Sequence, residues 1–270
     1  ALSGRPRIQV EVDAMLKRME LMTWKELADA VKTTKTVVVP IGAIEMQGPH
    51  LPLAADSMAA EHVAALAAEK AGAVLAPLIT VGTSEWHKNF PGMIGLSKES
   101  LMDYLRQYCR CLVRNGFTHI FFVSPHTFND EPIGTVGLEL RDEGIMVGSV
   151  NLWHVSNEVM AARKIDIKEG KFTHAGEIMT SVIMAIAPET VKMDEAVAES
   201  PAVPIPGAPF AGLHKIKFKD ISFSVYRSSN EETKSGSLGN PMAATPEKGR
   251  AIIEGWVDAT VAFLKEFSVC

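Results

Sequence analysis

The chain of 270 residues is 47% hydrophobic, 22% charged and 7% aromatic, a balance that excludes disordered, collagen-like and coiled-coil classes. Its 27 Lys and Arg face 32 Asp and Glu for a formal charge of −5, and without a basic run or stripe the electrostatic footprint of a nucleic-acid binder is missing. No stretch reaches the roughly 18–20 unbroken apolar residues of a membrane span, and Ala1 to Val10 has no apolar core of a signal peptide. Three cysteines, Cys109, Cys111 and Cys270, form no C-x-x-C pair, so free thiols in a reducing cytoplasm are expected.

The first clear element is the β-branched run from Thr36 to Val39, a buried strand stopped by Pro40 and Gly42. The Ala-rich stretch from Asp56 to Ala71 reads as a helix capped near Asp56. Short apolar runs from Ala73 to Pro77 and from Ile79 to Gly82 read as two strands or one interrupted strand. Ser97 to Asn115 is helical, with Leu101, Leu105, Tyr108 and Leu112 as its core stripe. A second strand from His119 to Val123 breaks at Ser124-Pro125. A helix follows from Glu131 to Glu143, then a third strand from Ile145 to Leu152. Further helices are expected from Ala175 to Ala187 and from Pro246 to Phe267. Strand–helix alternation at this spacing predicts an α/β, Rossmann-like domain: a mostly parallel sheet sandwiched by helices. One domain over 1–270 is the simplest division, with an irregular Pro-rich excursion at about 200–240 that holds one strand from Ile221 to Tyr226.

In open α/β sheets ligands bind beyond the carboxyl ends of the strands, and three polar clusters fall at such places. Glu45, Gln47, His50 and Asp56 follow the first strand, His126 and Asn129 follow the second, and His174 with Glu177 opens a helix. Imidazole and carboxylates from separate strand ends make a donor set for a divalent metal. Each has a plainer reading: Asp56 as a helix cap, Glu45 as a solvated acid, His126 as a donor to backbone, His174 and Glu177 as a capping arrangement. His62, His119 and His214 read as structural.

The stretch from Pro40 to Asp56 resembles the first motif of the creatininase (creatinine amidohydrolase) family, Pro-x-Gly-Ser-x-Glu-Gln-His-Gly-Pro-His-Leu-Pro-Leu ending in Asp. The resemblance continues at Gly82 to Gly92, with His87 ahead of Phe90-Pro91-Gly92, at Ser124 to Asn129, and at His174-Ala175-Gly176-Glu177. It implies a Rossmann-like fold, frequent hexamers and a two-metal centre that hydrolyses C–N bonds. Glu45, Asp56 and His126 match family ligand positions. Gln47 stands where the family has His, Phe128 where it has a second ligand, and Met179 where it has Glu, so both private ligands of one metal are lost. The expected site is therefore mononuclear, one Zn or Mn per subunit on Glu45, Asp56 and His126. His174 matches the catalytic imidazole, Glu177 is a general base or an added ligand, and Trp153, His87 and Gln47 line the substrate.

The resemblance points to a cytoplasmic metal-dependent hydrolase of a small cyclic or carbonyl-containing polar metabolite other than creatinine, assembled as a homo-oligomer, a hexamer by analogy. A second reading is C–C ring opening of a keto-inositol such as 3-dehydro-scyllo-inosose. A third, of another class, is a non-catalytic member that binds a ligand or partner.

Overall fold

A computed structural model describes residues 16–169 and 173–270; the reading of Ala1 to Val10 lies outside them. The central sheet has the order β1-β3-β2-β4-β5, with β1 Lys17–Arg18, β2 Thr36–Pro40, β3 Val74–Leu75, β4 His119–Ser124 and β5 Met146–Asn151. Every pairing is parallel, and β2 and β4 run in register from Thr36↔His119 to Pro40↔Val123. The central strands β2, β3 and β4 are buried on both faces, so β2 and β4 read as continuous apolar runs rather than alternating ones. Val38, Leu75 and Phe121 point into one core, and Val37, Val39, Val74, Ile120 and Phe122 into the other.

Helices α1 Trp24–Thr33, α3 Lys98–Arg114 and α4 Asp130–Asp142 cover the second core, through Val31, Leu101, Leu105, Ile133 and Val136. The first core lies under α2 Ala55–Ala71, α5 Ser156–Arg163, α6 Glu177–Ile186 and α8 Pro246–Phe267. The helix starts follow local chemistry. Thr23 and Glu26 form a capping box on α1, Ser97 caps α3, and Thr245 caps α8 with Pro246 in its first turn. α6 and α8 cross closely at Gly249, where a Cβ would overlap the Ser181 carbonyl.

Two expectations change. Asp56 does not cap α2: Ala54 holds that position without a side-chain bond, and Asp56 lies inside the first turn, 2% exposed. The Pro-rich excursion is also more regular than its composition suggests. It folds β6 Phe210–Gly212, β7 Lys215–Phe218 and β8 Ile221–Ser224 into a small antiparallel sheet, followed by the short α7 Ser229–Glu232. This segment is latched to the turn at Glu85–His87: Trp86 Nε1 donates to the Arg227 carbonyl at 2.8 Å, and Ser229 Oγ donates to the Trp86 carbonyl at 2.9 Å. Among the described residues no helix is long and apolar enough to cross a membrane.

A buried polar knot ties the His174 loop to α8. Glu177, fully buried, accepts from the backbone N–H groups of Lys168 (2.7 Å) and Glu169 (3.2 Å) and pairs with Lys248 of α8. Glu169 reciprocates, accepting from Glu177 N (2.7 Å) and Thr173 Oγ1 (2.6 Å). Both Glu177 oxygens are engaged by these partners, and Glu177 is not among the residues that line the cavity. Breaking a buried pair from one side strands the other charge at a cost of about 3–5 kcal/mol, and Lys248 keeps 21% of its side chain exposed, which places this pair at the low end. Glu177→Met is therefore expected to lower Tm by roughly 6 °C or more while metal content stays at the wild-type level. Loss of metal at unchanged Tm would restore the ligand role.

Candidate metal centre

Chain order sets the location. From β2 the chain moves to β3 on one side, then crosses to β4 on the other, so β2 and β4 bracket a topological switch point where a crevice opens at their carboxyl ends. Glu45 and Gln47 lie in the loop after β2, Asp56 in the first turn of α2, and His126 two residues beyond β4. Gly42 lets these parts meet: a Cβ there would collide with the Ser57 backbone, so only glycine allows the α2 N-terminus to close on the loop. Asn129, which sequence reasoning quoted only as the end of a motif, braces the crevice from below. Its Nδ2 donates to the Gly42 carbonyl (3.0 Å), and its Oδ1 accepts from Thr83 N (3.2 Å).

Donor atoms of Glu45, Asp56 and His126 lie within 4.8 Å of one another, and all three side chains are buried. His126 Nδ1 faces Glu45 Oε1 at 3.5 Å and Asp56 Oδ2 at 3.4 Å. Its Nε2 lies 2.7 Å from the Thr83 carbonyl, which fixes the proton on Nε2 and leaves the Nδ1 lone pair turned to the carboxylates. Glu45 Oε2 and Asp56 Oδ1 are buried without a hydrogen-bond partner among the described residues. Unpartnered carboxylate oxygens in a dry site are costly, and a hard or borderline cation with nitrogen and oxygen ligands satisfies them. The residues present fit a divalent metal.

Electrostatics agree. Burial, with the Asp56 charge beside it, drives the Glu45 carboxyl well above the usual range, and the imidazolium of His126 only partly offsets this. Burial opposes charge on His126 too, but the Glu45 and Asp56 carboxylates outweigh it and raise its pKa. The negative field that favours protons on Glu45 and His126 would equally attract a cation in their place.

Gln47 sits between the carboxylates, its Nε2 donating to Glu45 Oε1 (3.3 Å) and Asp56 Oδ2 (3.2 Å). Phe128 packs its ring 5.6 Å from that of His126. On the opposite side His87 Nε2 lies 3.4 Å and His174 Nδ1 4.0 Å from Glu45 Oε1, and the two rings stack at 4.6 Å. Glu45, His87 and His174 thus form a second group of donors that shares Glu45 with the first. His174 Nε2 is tied to the Met46 carbonyl at 2.8 Å, so Nδ1 is its free atom. Burial lowers the pKa of both imidazoles and keeps them neutral.

The structure therefore brings together Glu45, Asp56, His126, Gln47, His87 and His174, with Trp153 in the pocket wall, its indole N–H on the Pro125 carbonyl. Glu177 points away. Sequence reasoning missed the outer wall from Phe210 to Leu213, which comes from β6 and the turn after it, about 85 residues beyond His126. The cavity measures about 410 Å³.

The creatininase family model, described as creatinine amidohydrolase, matches residues 20–264. The mycofactocin precursor peptide peptidase of Mycolicibacterium smegmatis is 30% identical over 237 residues, covering 86% of this chain and 85% of that protein. The creatinine amidohydrolase of Pseudomonas putida is 26% identical over 263 residues, 91% and 95% of the two chains. The 3-dehydro-scyllo-inosose hydrolase of Thermotoga maritima is 23% identical over 188 residues, 67% and 60%. A manganese creatininase structure superposes with a TM-score of 0.76 at 24% identity over 94% of this chain and 99% of the other, and a mutant of Zn–Zn type with 0.75 at 23% over 94% and 98%, which shows the shared fold. Matched over nearly its whole length, the chain belongs to the creatininase family of metal-dependent hydrolases.

Proposed function

We propose that the protein is a metal-dependent amidohydrolase that cleaves a C–N bond next to a carbonyl, with one zinc or manganese ion per subunit on Glu45, Asp56 and His126. The observation that carries this is the convergence of two buried carboxylates, each with an unpartnered oxygen, on an imidazole whose free nitrogen faces them. A divalent ion in this donor set supplies Lewis acidity that polarises a carbonyl and acidifies water. His174, neutral and free at Nδ1, accepts the proton of the attacking water and returns it to the leaving nitrogen. Gln47 bridges Glu45 and Asp56 without charge and offsets part of their repulsion. Trp153 and Phe128 keep bulk water from the reacting bond.

Two relatives that act on amide-type bonds cover most of this chain, and the keto-inositol hydrolase covers less at lower identity. The walls weigh the same way: Trp86, Phe128, Trp153, Met179, Phe210 and Leu238 offer few partners to a polyhydroxylated ring. The departures at Gln47 and Phe128 speak against creatinine itself. We place the enzyme in the cytoplasm, where its three free thiols stay reduced. We also infer a homo-oligomer, a hexamer by family likeness, because Ile221, Phe223, Tyr226 and Val203 leave apolar surface exposed along the Pro-rich segment. Light scattering at micromolar protein is expected to show several chains per particle; a single chain's mass would end that inference.

Elemental analysis is expected to find about one metal per chain, because Gln47 and Phe128 cannot replace the second ion's ligands. Gln47→His with Phe128→Glu is expected to raise the ratio towards two. Two ions in the wild type would place the second on Glu45, His87 and His174 and would refute the single-metal reading; none would favour a non-catalytic binding protein.

Asp56→Ala and His126→Ala are expected to abolish metal binding and turnover together. His174→Ala is expected to keep the metal and lower kcat by about 10²–10⁴-fold on an amide found by screening cyclic amides, formamides and peptides. Loss of metal from His174→Ala would make His174 a ligand.

A further inference from the structure

We propose that the position of the lost second metal is now an aromatic subsite, and that the substrate carries an aromatic ring beside its scissile amide. This rests on the amidohydrolase reading and adds the group that the pocket selects. The family resemblance puts a metal ligand at position 128, and the Phe128 ring there offers the cavity an apolar face with no ligand atom. Its neighbours build on that change. Trp86 lies 5.9 Å and His214 6.4 Å from Phe128, Trp86 and His214 are 5.8 Å apart, and Tyr226 backs His214 at 5.5 Å. Trp86 and Phe128 are half-buried and line the cavity, so the cluster does not seal itself.

Backbone devices hold these rings in place. His214 sits in the tight turn between β6 and β7 at φ 55, the left-handed region that a non-glycine residue seldom occupies. Trp86 is pinned through its indole N–H to the Arg227 carbonyl, and its own carbonyl accepts from Ser229. The excursion thus carries one wall of the pocket and fixes the other.

Chemistry and distance choose the occupant. Aromatic rings pair with centroids about 4.5–7 Å apart, edge-on or offset. A ligand ring packed on Phe128 at that spacing lies one or two bonds from a carbonyl held at the Glu45, Asp56 and His126 cluster, since Phe128 and His126 are 5.6 Å apart. A cavity of about 410 Å³ holds such a group as well as the amide, being within the roughly 300–1,000 Å³ of pockets that enclose drug-sized ligands. A small polar ring alone would leave the aromatic wall in contact with water.

The test is calorimetric binding of three metal-chelating probes to the zinc-loaded protein: acetohydroxamate, phenylacetohydroxamate and cyclohexylacetohydroxamate. Phenylacetohydroxamate is expected to bind at least about tenfold more tightly than acetohydroxamate and more tightly than the cyclohexyl probe, the range of aromatic pairing added to burial. Phe128→Ala is expected to shrink the phenyl margin to threefold or less, and Phe128→Tyr to keep it. Equal affinity of acetohydroxamate and phenylacetohydroxamate for the wild type would overturn the subsite while leaving the amidohydrolase standing, as would a margin that survives in Phe128→Ala. Failure of all three probes to bind zinc-loaded protein would overturn the amidohydrolase reading and the subsite with it.

Discussion

Two carboxylates buried within a few ångströms of each other repel, and removing them from water adds a cost that hydrogen bonds alone do not return. Glu45 and Asp56 are held in that position by parts of the chain that have no other reason to meet: the end of β2, the start of α2 across Gly42, and the loop after β4 braced by Asn129. Several neighbouring features answer this one strain. Carbonyls of Thr83 and Met46 each take the Nε2 proton of His126 and His174, so that both rings turn Nδ1 towards Glu45. The rest of the sheet supplies the rigidity that keeps these oxygens from relaxing apart, since β2 and β4 are paired along their full length and packed on both faces.

The substitutions at the second metal position make sense against that strain. Removing a cation from between two carboxylates would leave their repulsion unscreened unless something positive faced both. The Gln47 amide does so, with one N–H for each acid, and it adds no charge that would compete with an ion on the other side. Phe128 sets an apolar ring against His126 at the cavity wall.

Much of the frame was legible because its signals are local. The β-branched runs at β2 and β4, the caps at Ser97 and Thr245, and the uninterrupted stretch from Pro246 to Phe267 carry their structure in short windows of sequence. The candidate donors are legible through the resemblance of their motifs, which lie in the loop after β2 (Glu45), the first turn of α2 (Asp56) and the loop after β4 (His126). What failed was non-local. Glu177 reads as a functional acid until Lys248, on a helix far along the chain, occupies it. Asp56 reads as a cap because burial among distant residues decides where its carboxyl points. α1 is not among the elements expected from sequence despite the capping box at Thr23: Trp24 at its start is exposed, and only Ala30 and Val31 near its end are buried. β6 follows a Pro- and Gly-rich stretch and takes its strand character from pairing with β7, which pairs in turn with β8, rather than from propensity.

His87 shows how a residue without an assigned step still shapes the site. It stacks on His174, and both imidazoles are buried, so protonating either would place a cation beside its neighbour and near His126. Burial, with the charge on His126 beside it, holds the His174 pKa down, while the Glu45 and Asp56 carboxylates raise that of His126. The site is thereby divided along Glu45. One side is built to hold a cation between acids, the other to hold a neutral base, and a reaction that needs both a polarised carbonyl and a proton acceptor finds them on opposite sides of the same carboxylate.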